Sequence, residues 1–449
     1  MNLEDNRHGH LAEDRPSHRL CGGTDFIRRW ADLPLSDWSE AGVQVFTRDG
    51  STPDDGSSRG QPVFTLGGGN GTTWVNTHNV MGVVRLREEG TGKCVQLQIG
   101  SRFDSGHPRP YFLTYLLGRV FGGSVVREVD IGQESMWDLL LAFAFRRKLL
   151  EAAAVGLFKE YRTMHHDDLR LRGRIDLARH LRTNVPFRGK VAYVTREASF
   201  DNPLNHLIRH AMAKVARKWP RLLEGDAALA GMVRQLGQNT PSWTFSDARG
   251  CLGRTENRKP VRHPYFQAAY EPLRKICRSI LHDEGAGLYQ QEQEADGVLF
   301  DGAWLWEEYL WILLEPRGYQ HPRNTSGRGG LRAIPGATFY PDFYHREKRI
   351  VLDAKYKRAA PVPPIEDVRQ VLAYMLLTDA RHGGLIRPSG GRSGPEDITN
   401  HGPPDGVPLR RWHELSLAPQ PATTAAAFIR GMEDQEARFR EALELLEKP

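Results

Sequence analysis

With 449 residues, 26% of them charged and 39% hydrophobic, the chain is long enough for two or three cores, and its composition is that of a soluble protein. No apolar run approaches the ~18–20 residues that would cross a bilayer, so a membrane function is excluded from the reading. The net charge of +6 and pI near 9.1 favour a polyanionic partner; the large excess of arginine over lysine suits phosphate recognition, though it equally suits a high-GC genome. Four cysteines (Cys21, Cys94, Cys251, Cys277) lie far apart with no CxxC, which argues against zinc and for a reducing cytoplasm.

Met1 to Arg19 is polar and lacks an apolar h-region, so residues 1–22 read as a disordered tail rather than a signal peptide or anchor. Residues 23–130 read as β-rich. Val43–Thr47, Met81–Leu86 and Cys94–Ile99 alternate or run apolar like strands, with Asp49-Gly50 and Glu89–Gly92 as turns. Ser51–Gly60 is a Gly/Ser/Asp-rich loop. Leu66–Thr73 is glycine-rich but lacks the lysine that reaches phosphates, and no G-x-x-x-x-G-K-[ST] occurs in the chain, so it reads as a flexible turn.

Residues 131–284 read as a helical, arginine-rich middle region. Glu134-Ser135 caps a helix carrying Trp137, Leu140, Leu141, Phe145 and Leu149 at three- and four-residue spacing, and Gly156 stops it. Tyr161–Arg196 is dense in arginine, interleaved with Leu171, Ile175, Leu177 and Leu181. Such a segment is folded, and its cations either solvate a face or meet phosphates or a partner; Arg172 and Arg174 are the DNA-contact candidates. His165-His166, beside Asp167-Asp168, reads as a polar loop because adjacent histidines do not converge readily on one ion. Asp201 or Asn202 caps a helix with Pro203 in its first turn, and Asp226–Gly237 and His263–Leu281 continue the helical pattern, separated by a polar loop. Gly285–Gly287 marks the entry to a last domain, residues 285–449.

That domain holds the chemistry. Ile350–Lys355 reads as a buried strand interrupted by Asp353 and Lys355, which share a face because residues two apart in a strand point the same way. Buried charges cost several kcal/mol unless paired or metal-bound. Asp342, on the preceding strand across the turn His345–Arg349, brings a second carboxylate to the same place. Two carboxylates and a lysine at a strand end suit Mg²⁺ and an activated water. Upstream, Trp304–Leu314 is an apolar helix in which Glu307 is the residue taken to face the site, followed by a basic, glycine-rich loop with Arg323 and Arg328. Downstream, Asp367, Gln370 and Tyr374 fall at i, i+3 and i+7 on one helix face. Gly384–Ile386 and Trp412–Leu417 read as strands, residues 389–408 as a disordered loop, and Ala425–Leu446 as an amphipathic helix.

Pro341-Asp342 … Asp353-Ala354-Lys355, with Glu307 ahead and Gln370 and Tyr374 in a QxxxY pattern behind, resembles the PD-(D/E)XK nuclease superfamily. Asp353–Lys357, Asp367–Tyr374, Leu171–Asp176 and Asp201–Ile208 narrow the resemblance to the McrC family, the nuclease subunit of McrBC-type modification-dependent restriction systems. It spans roughly Trp137 to Pro388; the first ~120 residues match poorly.

The resemblance implies an α+β multidomain chain: a β-rich N-terminal partner-binding domain, the helical middle region, and a C-terminal α/β nuclease core with a mixed central sheet. It implies catalysis by Asp342, Asp353, Lys355, Glu307, Gln370 and Tyr374. Mg²⁺, with Mn²⁺ as a substitute, would be held by Asp342, Asp353, Glu307 and the Ala354 carbonyl. The expected partners are double-stranded DNA, modified DNA included, and a McrB-type AAA+ GTPase or ATPase hexamer that supplies nucleotide hydrolysis. Arg323 and Arg328 join Arg172 and Arg174 as DNA-contact candidates, and Arg48 and Arg59 are candidates for the motor contact. A non-catalytic scaffold that activates a motor, and a stand-alone repair nuclease, are the rival readings.

Overall fold

The computed structural model describes residues 2–5, 10–11, 27–47, 60–69, 72–88, 94–104, 110–121, 136–281, 295–322, 330–334, 337–358, 362–389, 396–397 and 410–448. They divide into two compact units, one of Met1–Phe143 with Gln291–Pro449 and one of Ala144–Gln290. The sequence boundary at residue 285 therefore does not isolate a last domain: the N- and C-terminal parts share one unit.

The first unit opens with β1 (Asn2–Glu4), β2 (His10–Leu11), α1 (Leu35–Glu40), β3 (Gln44–Phe46), β4 (Phe64–Gly69), β5 (Thr72–Thr77), β6 (Val80–Arg87), β7 (Cys94–Gly100) and α2 (Tyr111–Val120), and α3 spans Met136–Val155. The strands expected at residues 43–47, 81–86 and 94–99 are β3, β6 and β7. The glycine-rich stretch is not merely a turn, because its Gly67–Gly69 pair with Thr72–Trp74 as one end of the β4–β5 hairpin. Part of the expected disordered tail is ordered as well: β1 runs parallel to β7, with Leu3 opposite Ile99. Asp5 follows, fully buried; it accepts from Arg102 Nη2 at 2.7 Å and Nε at 3.1 Å. A three-residue strand is too short for a periodicity to show, and pairing with β7 is what orders it.

In the second unit, β8 (Glu160–Asp168), β9 (Arg174–Ile175), α4 (Leu177–Thr183) and β10 (Val191–Ser199) precede α5 (Pro203–Lys218), α6 (Ala227–Asn239), α7 (Ala248–Gly253), α8 (Thr255–Arg258) and α9 (Gln267–Leu281). The Asn202 side chain caps α5 by accepting from Asn205 N, and Asp226 caps α6. The arginine-rich segment departs from the helical expectation. Its strands form an antiparallel sheet in the order β8-β10-β9, with nine residue pairs from Glu160↔Ser199 to Asp168↔Val191. Long-range pairing decides this, and nothing in the local pattern of arginines announces it. His165 and His166 accordingly lie on a strand rather than a loop and face opposite ways; His166 stacks on Tyr193. Helix α4 is inside out. His180 and Asn184 bond to Ala192 N and Asp167 Oδ1, while Leu177 and Leu181 stay exposed.

The chain returns to the first unit at β11 (Ala295–Asp301), which lies between β6 and β3 and completes a five-stranded sheet in the order β1-β7-β6-β11-β3. Glycine permits this closeness: a Cβ on Gly82 would meet Val298 O at 2.1 Å, and one on Gly297 would meet Val83 O at 2.2 Å. Then come α10 (Gly302–Leu314), β12 (Leu331–Ile334), β13 (Ala337–Phe339), β14 (Phe343–His345), β15 (Ile350–Ala354), α11 (Ile365–Thr378), β16 (His382–Arg387), β17 (Glu396–Asp397), β18 (Arg411–Ser416) and α12 (Ala425–Leu446). A second, mixed sheet runs β14-β15-β16-β18-β17. Strands β15, β16 and β18 are parallel neighbours, and β14 and β17 are antiparallel edges; β17 falls inside the segment expected to be disordered. The buried Glu436 of α12 accepts from Tyr115 of α2 at 2.7 Å and Tyr309 of α10 at 2.9 Å, tying these helices together.

Removing Asp5 leaves Arg102, 7% exposed, without its counter-charge. Asp5→Ala is expected to cost about 3–5 kcal/mol in urea denaturation. A stability within error of the parent would show that the Asp5–Arg102 pair makes no net contribution.

Candidate active site

Asp342 immediately precedes β14. The antiparallel register pairs Phe343 with Leu352, so its next step sets Asp342 opposite Asp353. Directly opposed residues point to the same face with Cβ atoms about 4.5–5.5 Å apart, and like charges so placed repel. Both carboxylates are buried, Asp342 at 8% and Asp353 at 1% exposure. Asp342 is fixed by the Ala354 amide, which donates to its Oδ2 at 2.8 Å, and its carbonyl is bonded by the His321 ring.

Burial, and then the charge of Asp342, push the Asp353 carboxyl up to about 7, against the opposing pull of Lys355. Lys355 Nζ sits 2.7 Å from Asp353 Oδ2 and donates to Gln370 Oε1 at 2.8 Å. The lysine is thus shared between the buried Asp353 carboxylate and the Gln370 amide. Burial works against the Lys355 charge, but Asp353, Asp342 and Asp367 outweigh it and hold the lysine pKa above its usual value. Gln370 Nε2 donates in turn to the Tyr374 hydroxyl at 2.7 Å. The i, i+4 spacing on α11 thus forms a relay behind the lysine.

Five of the residues singled out by sequence, Asp342, Asp353, Lys355, Gln370 and Tyr374, are therefore joined by direct contacts or by register. Glu307 is buried on α10, whose Trp306 indole donates to the Ile386 carbonyl at 3.3 Å, while its neighbour Glu308 is only half-buried. Among the described residues, no group of three or more His, Cys, Asp or Glu side chains gathers closely enough to hold a metal ion. The donors that the register brings together are the two carboxylates. Arg323, Arg328, Arg48 and Arg59 lie outside the described residues; Arg172 and Arg174 are exposed on the second unit.

Sequence reasoning passed over Arg387 and Lys357. Arg387, 3% exposed, ends β16 with its Nη2 3.7 Å from Asp367 Oδ2, and Lys357 Nζ lies 3.2 Å from Asp367 Oδ1. The second basic residue of Asp353–Lys357 was a visible signal. Nothing local marks Arg387, whose role depends on β16 lying beside β15.

Residues 75–388 match the family described as McrBC 5-methylcytosine restriction system component. No curated protein matches the chain. Among solved structures, a refined half-complex from a tetradecameric assembly of Thermococcus gammatolerans McrB AAA+ hexamers with bound McrC is similar at 15% identity, covering 98% of this chain and 99% of that one, with a TM-score of 0.49. The cryo-EM structure of the Thermococcus gammatolerans McrBC complex is similar at 14% identity, covering 70% of this chain and 87% of that one, with a TM-score of 0.30.

The opposed aspartates give a signed pH dependence. An acid whose folded pKa exceeds its unfolded value contributes stability below the unfolded value, near 3.8, and loses it as pH rises through the folded value of about 7. In buffer free of divalent ions, Asp353→Asn is expected to be more stable than the parent at pH 8, with the gap closing toward pH 4. Urea midpoints that differ by the same amount at both pH values would contradict a raised Asp353 pKa, whose causes are burial first and the Asp342 charge second.

Proposed function

Because the chain belongs to the McrBC 5-methylcytosine restriction system component family, we propose that it is the McrC-type, Mg²⁺-dependent DNA endonuclease subunit of such a system. In this reading it hydrolyses DNA phosphodiesters when assembled with a McrB-type AAA+ hexamer that hydrolyses GTP or ATP. The observation that carries the nuclease reading is the buried Asp342–Asp353 pair with Lys355 at the carboxyl end of β15. There β15 and β16 run parallel, and open α/β sheets bind ligands at such strand ends.

The residues fit a hard divalent ion. All the available donors are oxygens, and two buried carboxylates have one lysine between them, so their negative charge is only partly offset. Asp342, Asp353 and the Ala354 carbonyl would hold Mg²⁺, with Mn²⁺ as a substitute. When bound, the ion would lower the pKa of a water and offset charge developing on the phosphate. Lys355 Nζ has three N–H donors, of which Gln370 takes one and Asp353 attracts another. The third is left to orient the attacking water or a non-bridging phosphate oxygen. The Gln370–Tyr374 relay keeps the ammonium from swinging away, which is a matter of orientation rather than charge. Arg172 and Arg174 are proposed to hold the DNA backbone, supported by their exposure in an arginine-rich segment.

Plasmid cleavage by the full chain, alone and with its motor, tests the site. Asp342→Ala, Asp353→Ala and Lys355→Ala are each expected to lower the rate at least about a hundredfold while leaving the fold intact. Cleavage at the parent rate by any of the three sinks the assignment. Mg²⁺ is expected to raise the melting temperature of the parent and not of Asp353→Ala. Replacing Arg172 and Arg174 by Ala is expected to weaken DNA binding evenly across sequences and to lower the salt slope by about one per lost phosphate contact; an unchanged slope removes them from the interface.

A further inference from the structure

Two lysines leave the end of β15, and one helix face receives both. Lys357 N donates to the Lys355 carbonyl at 2.8 Å, a tight turn that carries the chain off the strand. Lys355 reaches Gln370 of α11, and Lys357 reaches Asp367, three residues earlier. Residues at i and i+3 are neighbours on a helix, with Cβ atoms about 5–6 Å apart. The two ammonium groups are thus held side by side, yet their surroundings differ. The Lys355 side chain is 16% exposed, among the aspartates, whereas that of Lys357 is 53% exposed.

Asp367 is not simply the acid of a surface ion pair. It is 5% exposed, and its second oxygen faces Arg387, which is itself 3% exposed. Arg387 Nε and Nη1 are buried with no hydrogen-bond partner, and Asp367 Oδ2 has none either. Each unmet buried group costs about 1–3 kcal/mol, a poor arrangement for an ion pair that serves stability alone. One carboxylate here faces two cations, leaving a surplus positive charge beside the proposed cleavage site. Arg387 and Asp367 offset each other out of solvent, so the surplus lies on the half-exposed Lys357.

We propose that Lys357, held by the buried Asp367–Arg387 pair, forms a second phosphate-binding subsite that grips a DNA backbone phosphate flanking the scissile one. Lys357 is the contacting residue. Asp367 and Arg387 are positioning residues: Asp367 orients the ammonium, and Arg387 offsets the Asp367 charge so that Lys357 remains free to meet a phosphate. This rests on the nuclease reading and extends it from the chemistry to the grip on substrate.

The test uses the full-length chain and a short DNA duplex. Steady-state cleavage is followed in Mg²⁺, and duplex affinity is measured by fluorescence anisotropy in Ca²⁺. Lys357→Ala is expected to raise KM and Kd about tenfold or more, as the loss of a charge-assisted hydrogen bond does, with kcat within about twofold of the parent. Lys357→Arg restores both, because charge and donors return. Arg387→Gln is expected to shift KM in the same direction. Its effect should largely vanish in the Lys357→Ala background, a coupling that a purely structural Arg387 would not show. Parent-like KM and Kd for Lys357→Ala overturn the subsite, as does a loss confined to kcat. Should Arg387→Gln fail to fold, the half-exposed Lys357 variants still decide the matter. If the parent does not cut even when its McrB-type motor is added, the nuclease reading fails, while anisotropy still reports whether Lys357 holds a phosphate.

Discussion

Two aspartates face each other across the first antiparallel pair of the mixed sheet, both nearly removed from solvent, with one lysine to answer them. That is an expensive place to put charge, since burial and like-charge repulsion act in the same direction. The surrounding fold holds them there. The hairpin register sets the aspartates opposite each other, the Ala354 amide pins Asp342, and the polar face of α11 receives Lys355. Parallel pairing of β15 with β16 keeps the strand ends together, and the Lys355 amide extends that ladder by donating to the Ile386 carbonyl at 2.9 Å. Such internal strain costs stability, and in the proposed reading a bound cation would relieve it.

The two five-stranded sheets of the first unit divide the work of support. The first is assembled from segments that lie far apart in sequence, with β11 inserted between β6 and β3 through paired glycines. Helix α10 begins at the end of β11, with Asp301 accepting from the Ala303 amide at 2.9 Å, and its Trp306 reaches the β16 carbonyl beside the site. The other end of α10 is tied through Tyr309 to Glu436. A change in the N-terminal sheet can thus reach the site through packed helices rather than through solvent.

In the second unit, the polar side of α4 holds the sheet and its leucines face outward. The same segment carries the exposed Arg172 and Arg174. The proposed DNA contact would draw on that surface, where arginine's planar guanidinium suits phosphate.

The sequence by itself determined what local periodicity and spacing can carry. The charged interruptions of β15, the i, i+3, i+7 face of α11, the Asn202 cap and the buried stripe of α10 were all legible, because each is a relation among residues a few positions apart. So was the candidate chemistry, since Asp342, Asp353, Lys355, Gln370 and Tyr374 lie within one short stretch of chain. What pairs over long distances was not legible. The N-terminal strand of the expected tail, the β8–β10 sheet in the arginine-rich region and the placement of β11 among N-terminal strands were decided only by tertiary structure. The same holds for Arg387, an ordinary strand-end arginine until β16 lies beside β15 and Asp367 comes within reach. The reason is physical: strand pairing and burial depend on partners tens or hundreds of residues away, and no local pattern names the partner.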